Sequence, residues 1–388
     1  MVSVCPAIAL RPQRFGAGAG DDRPGMFNES FVSFLIQLVR WNSRIEGGNI
    51  RNDQDNERSY SMTRPSLYKL LIAISAVLFA AQGVSAQQFQ TVNMAVPAKS
   101  FQMVIYPVAQ QKGYMKEEGL DERVIFVAPT TSIQAMLGGD VQFTGAGSSA
   151  LVSIARGNTP LKVVVATNDR VLQWLVTRPE IKSPKELKGK RIATTGVAAI
   201  ATFMLKQILT KHGLDGNKDV NYLDVGQGNQ LTALLGGAFD AAVLSVEQRY
   251  TALDKGMHEM FFMGNEVKNS WGTLATTDKL IKENPKMVAG FVRATLKALR
   301  YVRQDKEGTV AALLKFSGIS RQQATRLYDD LIGTFTRNGV VDDETQRNDL
   351  NIIRQVINGN ETLANAKAYD FSFAAEADAQ LTKSGWKP

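Results

Sequence analysis

The stretch Gln134-Ala-Met-Leu-Gly-Gly-Asp-Val-Gln-Phe143 has a counterpart at Thr232-Ala-Leu-Leu-Gly-Gly-Ala-Phe-Asp-Ala241. Ala135, Leu137, Gly138 and Gly139 recur there as Ala233, Leu235, Gly236 and Gly237. In each copy a short amphipathic helix ends on paired glycines and an apolar strand follows. Glycine suits the left-handed position that stops a helix, where a Cβ would clash. Each copy then leads through a small polar loop, Gly145-Ala-Gly-Ser-Ser149 or Ser245-Val-Glu247, into another helix. A strand–helix–strand unit used twice predicts two similar α/β lobes. The same pattern also fits one larger parallel sheet with two ordinary helix ends.

Before the first copy, residues 91–96 alternate as a strand. Phe101, Val104, Ile105, Val108 and Ala109 then share one helical face. Pro107 requires the regular helix to begin close to Ile105 or to kink. Thr130, Thr131 or Ser132 can cap the first repeated helix. Strands at 124–128, 141–144 and 161–166, with helices between, predict a parallel sheet covered by helices. Residues 172–177 read as a strand leaving that sheet. Ser183-Pro-Lys-Glu186 combines an N-cap serine, proline at N1 and glutamate at N3. A strand to Thr194, a long helix from about 197 to 212, and strands at 220–225, 239–244 and 258–263 repeat the earlier rhythm. Residues 270–275 read as a return strand, and the remainder is helical.

With 44% hydrophobic and 21% charged residues, the composition is that of a globular protein. Cys5 is the single cysteine, so no internal disulfide or thiolate metal site can form. His212 and His258 lie in no motif. The chain is therefore read as a non-enzyme with no metal and no cofactor. From Gln87 onward 36 Lys and Arg face 30 Asp and Glu, interspersed. That argues against a nucleic-acid partner, which calls for a clustered basic stripe.

Residues 1–61 read unlike the rest, with little periodicity and a Gly-Ala-Gly-Ala-Gly run. Met62-Thr-Arg-Pro-Ser-Leu-Tyr-Lys69, the apolar residues 70–81 and Val84-Ser-Ala86 then follow as the three regions of a signal peptide. That apolar run is shorter than the roughly 20 residues a membrane span needs. The expectation is a start at Met62, an over-extended or disordered leader before it, cleavage after Ala86, and a monomeric periplasmic product.

Five segments in order carry a family resemblance. They are Pro107-Val-Ala-Gln-Gln-Lys-Gly-Tyr-Met-Lys-Glu-Glu-Gly-Leu120, the copy at 134–139, Pro184-Lys-Glu-Leu-Lys-Gly-Lys-Arg-Ile192, the copy at 233–243, and residues 284–302. With them the chain resembles a type II periplasmic substrate-binding protein of an ABC importer. The group is the one that binds sulfonates, nitrate and thiamine-pyrimidine precursors. Where that group often has Asp after the first Gly-Gly, this chain has Gln142, while the second copy keeps Asp240. No arginine clamp marks the pocket positions.

The resemblance implies an α/β fold of two lobes, each a mixed, mostly parallel sheet flanked by helices, with a helical C-terminal region on lobe 1. Lobe 1 would span 87–176, lobe 2 would span 177–270, and 271–388 would complete lobe 1. Crossovers would fall near 176–177 and 271–276. A small organic ligand would be captured between the lobes and delivered to an ABC permease in the inner membrane, through hinge closure. A pyrimidine-precursor synthase-like enzyme and a sensor subunit of a membrane receptor are the alternatives.

Ligands of open parallel sheets bind outside the carboxyl ends of the strands. That rule selects Ser100 and Phe101, Ser148 and Ser149, Asn168, then Thr195, Gly196 and Val197, and finally Ser245, Glu247 and Trp271. Ser148 and Ser149, and Thr195 to Val197, open helices that receive an anionic or carbonyl oxygen or simply cap the helix. Phe101 either stacks on a planar ligand or fills the core, and Trp271 either walls the site or fills the hinge. Glu247 pairs with a ligand amine or stays solvated. The cluster Lys182, Lys185, Lys188, Lys190 and Arg191 reads as a solvated face.

Overall fold

In the computed structural model, which describes residues 89–226 and 228–388, the alternating run after Phe89 forms strand β1 (Gln90–Val96). The leader and signal-peptide readings lie outside the described residues. A 3-10 turn over Phe101–Met103 precedes α1 (Ile105–Gln111), whose first turn holds Pro107, where a missing N–H costs nothing. Next come β2 (Leu120–Phe126), α2 (Pro129–Gly138), β3 (Phe143–Thr144), α3 (Gly147–Gly157) and β4 (Leu161–Ala166). A second run follows with β5 (Trp174–Thr177), β6 (Arg191–Thr194), α4 (Ile200–Lys211), β7 (Asn221–Asp224), α5 (Gln230–Leu235), β8 (Ala241–Leu244), α6 (Val246–Asp254) and β9 (His258–Phe262). The chain then returns through β10 (Thr273–Thr277) to α7 (Asp278–Glu283) and α8 (Pro285–Gln304). It ends with α9 (Lys306–Ser317), α10 (Arg321–Leu331), α11 (Asp343–Val356) and α12 (Ser372–Lys383).

The strands make two five-stranded mixed sheets, ordered β2-β1-β3-β10-β4 and β7-β6-β8-β5-β9. In each, one strand runs against its neighbours: β10 is antiparallel to β3 and β4, and β5 is antiparallel to β8 and β9. The chain therefore passes between sheets over 167–173 and 263–272. The first passage comes before Trp174 rather than near 176–177. All of β5 pairs inside the second sheet, from Trp174 opposite Leu244 to Thr177 opposite Ala241. Among the described residues no helix is long and apolar enough to cross a membrane.

The repeated glycines stop α2 and α5 as their backbone demands. Gly139 has φ +91 and Gly237 φ +76, both in the left-handed region. The cap expected at Thr130 to Ser132 is instead Ala128 with Pro129 at the first position. Ser132 is buried, donates to the Pro129 carbonyl and accepts from Thr144. The Ser183 capping box is present, but it closes only a 3-10 turn, Pro184–Leu187.

Helix α8 locks the first sheet's far side. Val288, Phe291, Val292, Leu296, Leu299 and Val302 form its fully buried stripe, each contributing about 2 kcal/mol. Phe291 stacks on Phe143 of β3 at 4.1 Å and 12°. Arg293 and Lys297, also on α8, hold Glu118 between them.

Glu122 on β2 is only 3% exposed, and among the described residues neither carboxylate oxygen has a hydrogen-bond partner. Burial pushes its carboxyl well above the usual carboxylate range. A raised acid loses folding stability as the pH climbs through its folded value. Glu122→Gln is therefore expected to be more stable than the wild type by about 2 kcal/mol at pH 8, with the gap shrinking toward acid. Urea denaturation across pH checks this, and a gap that widens toward acid would refute it.

Candidate functional site

The loops at the carboxyl ends of β1 and β3 lie against each other. A Cβ on Gly145 would sit 2.8 Å from the Met103 sulfur, so the small residue lets the β3 loop rest on the 101–103 turn. Gly147, the first residue of α3, abuts β10: a Cβ there would fall 1.7 Å from Thr273 Oγ1. Thr273 is 2% exposed, and its hydroxyl has no partner among the described residues. The buried Ser100 hydroxyl oxygen likewise has none. The N–H groups of Gly147 and Ser148, in the first turn of α3, have no intrahelical acceptor, since the first bonds of the helix begin at Ser149 and Ala150. Ser148 and Ser149 are half-buried beside them. One end of the first sheet thus gathers the first-turn N–H groups of α3 and two hydroxyls without a partner among the described residues.

The second sheet presents different material. Thr195 and Val197 are exposed, Val197 by 52%, in a loop that reaches α4 only at Ile200. They do not open the helix as the sequence reading had it, because Ala199 is the N-cap and the extended residues before it form a separate turn. Gly196 donates to Thr194 Oγ1 and accepts from Thr202 Oγ1 at 2.7 Å, which ties that turn to the helix. After β7, Gly226 and Gly228 take φ +77 and +91. Gln230 bonds both, and Gln248 of α6 bonds the Gly228 carbonyl at 3.1 Å. This glutamine pair fastens the β7 loop to the start of α6. The sequence reading missed it, although two glycines following a strand were the available signal.

Several expected contacts have other employment. Phe101 is 2% exposed and packs edge-on against Phe335 at 5.4 Å and Tyr328 at 6.4 Å, so it is a core residue. Asn168 is fully buried, accepting from Thr167 and donating to Thr334. These bonds hold the first passage between sheets. Ser245 caps α6 through Gln248. Trp271 is half-buried against two core clusters, and its N–H donates to the Asn168 carbonyl. Glu247 is exposed and lines a groove of about 310 Å³ between α6 and α10.

Charge near these loops is sparse. Lys99 places its ammonium 5.0 Å over the Phe126 ring, itself 51% exposed at the end of β2. Arg249, in the first turns of α6, is committed to Glu259 at 2.5 Å and Asp330 at 2.8 Å. A larger hollow of about 750 Å³ lies along the hinge flank, lined by Asp169, Arg170, Lys211, Glu266, Lys268 and Arg347. Lys268 there is bonded to Glu344, and Lys211 to the Glu266 carbonyl. Its volume exceeds that of the groove, and it borders the loop after β4 through Asp169 and Arg170 but none of the loops after β1, β3, β6 or β8. We therefore place the candidate site at the strand ends.

The profile of NMT1/THI5-like proteins matches residues 100–308. A putative binding protein, YtlA of Bacillus subtilis (strain 168), is 22% identical over 242 residues, covering 60% of this chain and 72% of its own. Among solved structures, the putative sulfonate ABC transporter periplasmic sulfonate-binding protein SsuA from Methylobacillus flagellatus KT superposes with a TM-score of 0.62 at 17% identity, covering 78% of this chain and 97% of that one. The periplasmic nitrate-binding protein NrtA from Synechocystis PCC 6803 gives 0.57 at 13% identity, covering 76% and 89%. These structures share the periplasmic-binding-protein fold with this chain.

Proposed function

Because the chain belongs to the NMT1/THI5-like family, we propose that it is a periplasmic solute-binding protein that captures a small organic molecule and delivers it to an ABC permease. Each sheet with its helices forms a lobe, and the ligand lies between the strand ends of the two. The sulfonate- and nitrate-binding neighbours support a ligand bearing a compact oxygen-rich group.

One observation carries the reading. The first turn of α3 offers N–H groups beyond the reach of intrahelical bonding, the Thr273 hydroxyl packs against Gly147, and neither that hydroxyl nor the Ser100 hydroxyl on the loop after β1 has a partner among the described residues. Such a set bonds a carbonyl or anionic oxygen without a cationic side chain. The exposed apolar side chains of Phe126 and Val197 at the lips suit an apolar body attached to that group. His212 lies 3.1 Å from Glu266 and tilts over Phe261.

Thermal-shift and calorimetric screening of the purified chain against alkanesulfonates, nitrate, aromatic carboxylates, pyrimidines and amines tests the proposal. A true ligand at a hundred times its Kd adds about 2.7 kcal/mol of stability. A panel in which no molecule raises the melting temperature would remove the solute-binding reading.

A further inference from the structure

Helix α10 meets the turn after β1 on one side and α6, which follows the loop after β8, on the other. On one side its Tyr328 packs edge-on against Phe101, the neighbour of Ser100, and anchors its hydroxyl on the Val302 carbonyl at 3.0 Å. With Leu327 and Leu331 it belongs to a buried cluster that draws on both sheets. On the other side Arg326 and Asp330, one helical turn apart, reach α6 just after Ser245–Glu247. Asp330 accepts from Arg249 Nη1 at 2.8 Å and from the Tyr250 hydroxyl at 2.8 Å. The Arg326 guanidinium lies 3.7 Å over the Tyr250 ring and 4.0 Å from Asp254.

These contacts differ from the rest of the core in kind. Arg249 is fixed within the second sheet's own lobe by Glu259 of β9 and by Trp174, 5.1 Å from its guanidinium. What it extends toward α10 is one arm of that guanidinium. The α6–α10 joint carries long polar side chains at its rim, with Arg249 16% and Asp330 36% exposed, over apolar packing in which Val246, Tyr250 and Ala252 share one buried cluster with Leu327, Tyr328 and Leu331. Half-wet ion pairs of this kind are modest in strength and sensitive to salt. They can therefore be broken while the buried cluster beneath them stays in place.

We propose that α10 is a strut that sets the gap between the loop after β1 and the loop after β8, with Arg249, Tyr250, Arg326 and Asp330 as its releasable joint. Asp330 and Arg249 are positioning residues: they act on the ligand through the separation of the jaws. The inference rests on the binding role above for the purpose of that gap, but its test needs no ligand, so either can fail alone.

Spin labels at Thr131→Cys and Asn217→Cys, in the full chain carrying Cys5→Ser, report the separation of the two lobes by pulsed dipolar spectroscopy. Both positions are exposed and lie on different lobes. Asp330→Asn and Arg249→Met are each expected to raise the ratio of long to short distances about fivefold. Arg321→Met, on the outer end of the same helix where Arg321 pairs with exposed Glu307, should leave the distribution unchanged. If a joint variant fails to fold, the unsubstituted labelled chain should show the same lengthening as salt rises from about 0.05 to about 1 M. Wild-type distances in both joint variants, or no response to salt, would overturn the strut.

Discussion

Alanine at Gly147 is expected to cost about 3 kcal/mol of folding stability and to abolish ligand capture. The Cβ it adds would sit 1.7 Å from Thr273 Oγ1, 2.5 Å from Thr273 Cβ and 3.2 Å from its carbonyl oxygen. Rotating the threonine side chain relieves only the first of these. Its Cβ and backbone are fixed in β10, which is hydrogen-bonded on both sides within the first sheet, and Ala146 bridges directly to Thr273. The start of α3 must therefore move off the sheet, carrying with it the first-turn N–H groups of Gly147 and Ser148. Gly157→Ala, at the other end of the same helix, is the control. There the added carbon meets only Thr159 Oγ1 at 3.9 Å, and the helix gains up to about 1 kcal/mol. Denaturant midpoints measure both. Equal midpoints for Gly147→Ala and the wild type would show that α3 is not seated on β10.

Removing the carboxylate of Asp349 should be the most damaging change at the hinge. Asp349 of α11 is buried among donors: the Asn269 side chain, the Ser270 N–H at 3.1 Å, the Ser270 hydroxyl at 2.5 Å and the Tyr369 hydroxyl at 2.9 Å. Asn269 and Ser270 belong to the second passage between sheets, so one carboxylate ties that passage to the C-terminal helices. Asp349→Ala leaves those donors without an acceptor and is expected to cost about 4 kcal/mol. Asp349→Asn keeps part of the bonding and gives the pH test. Burial raises the Asp349 carboxyl to about 7, against the lowering pull of Ser270, Tyr369 and Asn269. The folded chain then holds a proton that the unfolded chain, with an ordinary aspartate near 3.9, has released. This group's contribution is complete below about 3.9 and is lost as the pH rises to about 7. The stability of the wild type minus that of Asp349→Asn should fall steadily over that window. A flat difference would mean that Asp349 stays charged throughout.

Much of the architecture was readable because it depends on local backbone rules. The two Gly-Gly pairs announced two helix ends, and Gly139 and Gly237 take the left-handed conformation that the rule requires. The strand at 161–166 was legible from its apolar run, interrupted by Lys162 alone, and all but that lysine is buried. Where the reading slipped, a tertiary contact had overridden a local preference. Ser132 looked like a cap but is drawn inward to Thr144. The helix expected from about 197 begins at Ile200, because Gly196 is held in a turn by Thr194 and Thr202. Phe101 and Asn168 were placed correctly on strand-end loops, yet both turn into the core. The residues that back the candidate site, Thr273, Asp330 and Asp349, carry no local signal. Each gains its role from a partner far away in the chain.

The position of β10 has a consequence for how the chain is made. This strand fills the slot between β3 and β4, so those two, although close in sequence, have no ladder between them until it arrives. Every strand of the second sheet, from β5 to β9, precedes Thr273 in the order of synthesis. A chain emerging from the ribosome can close its second sheet while its first still has a gap at the centre. The half that is begun first is completed last.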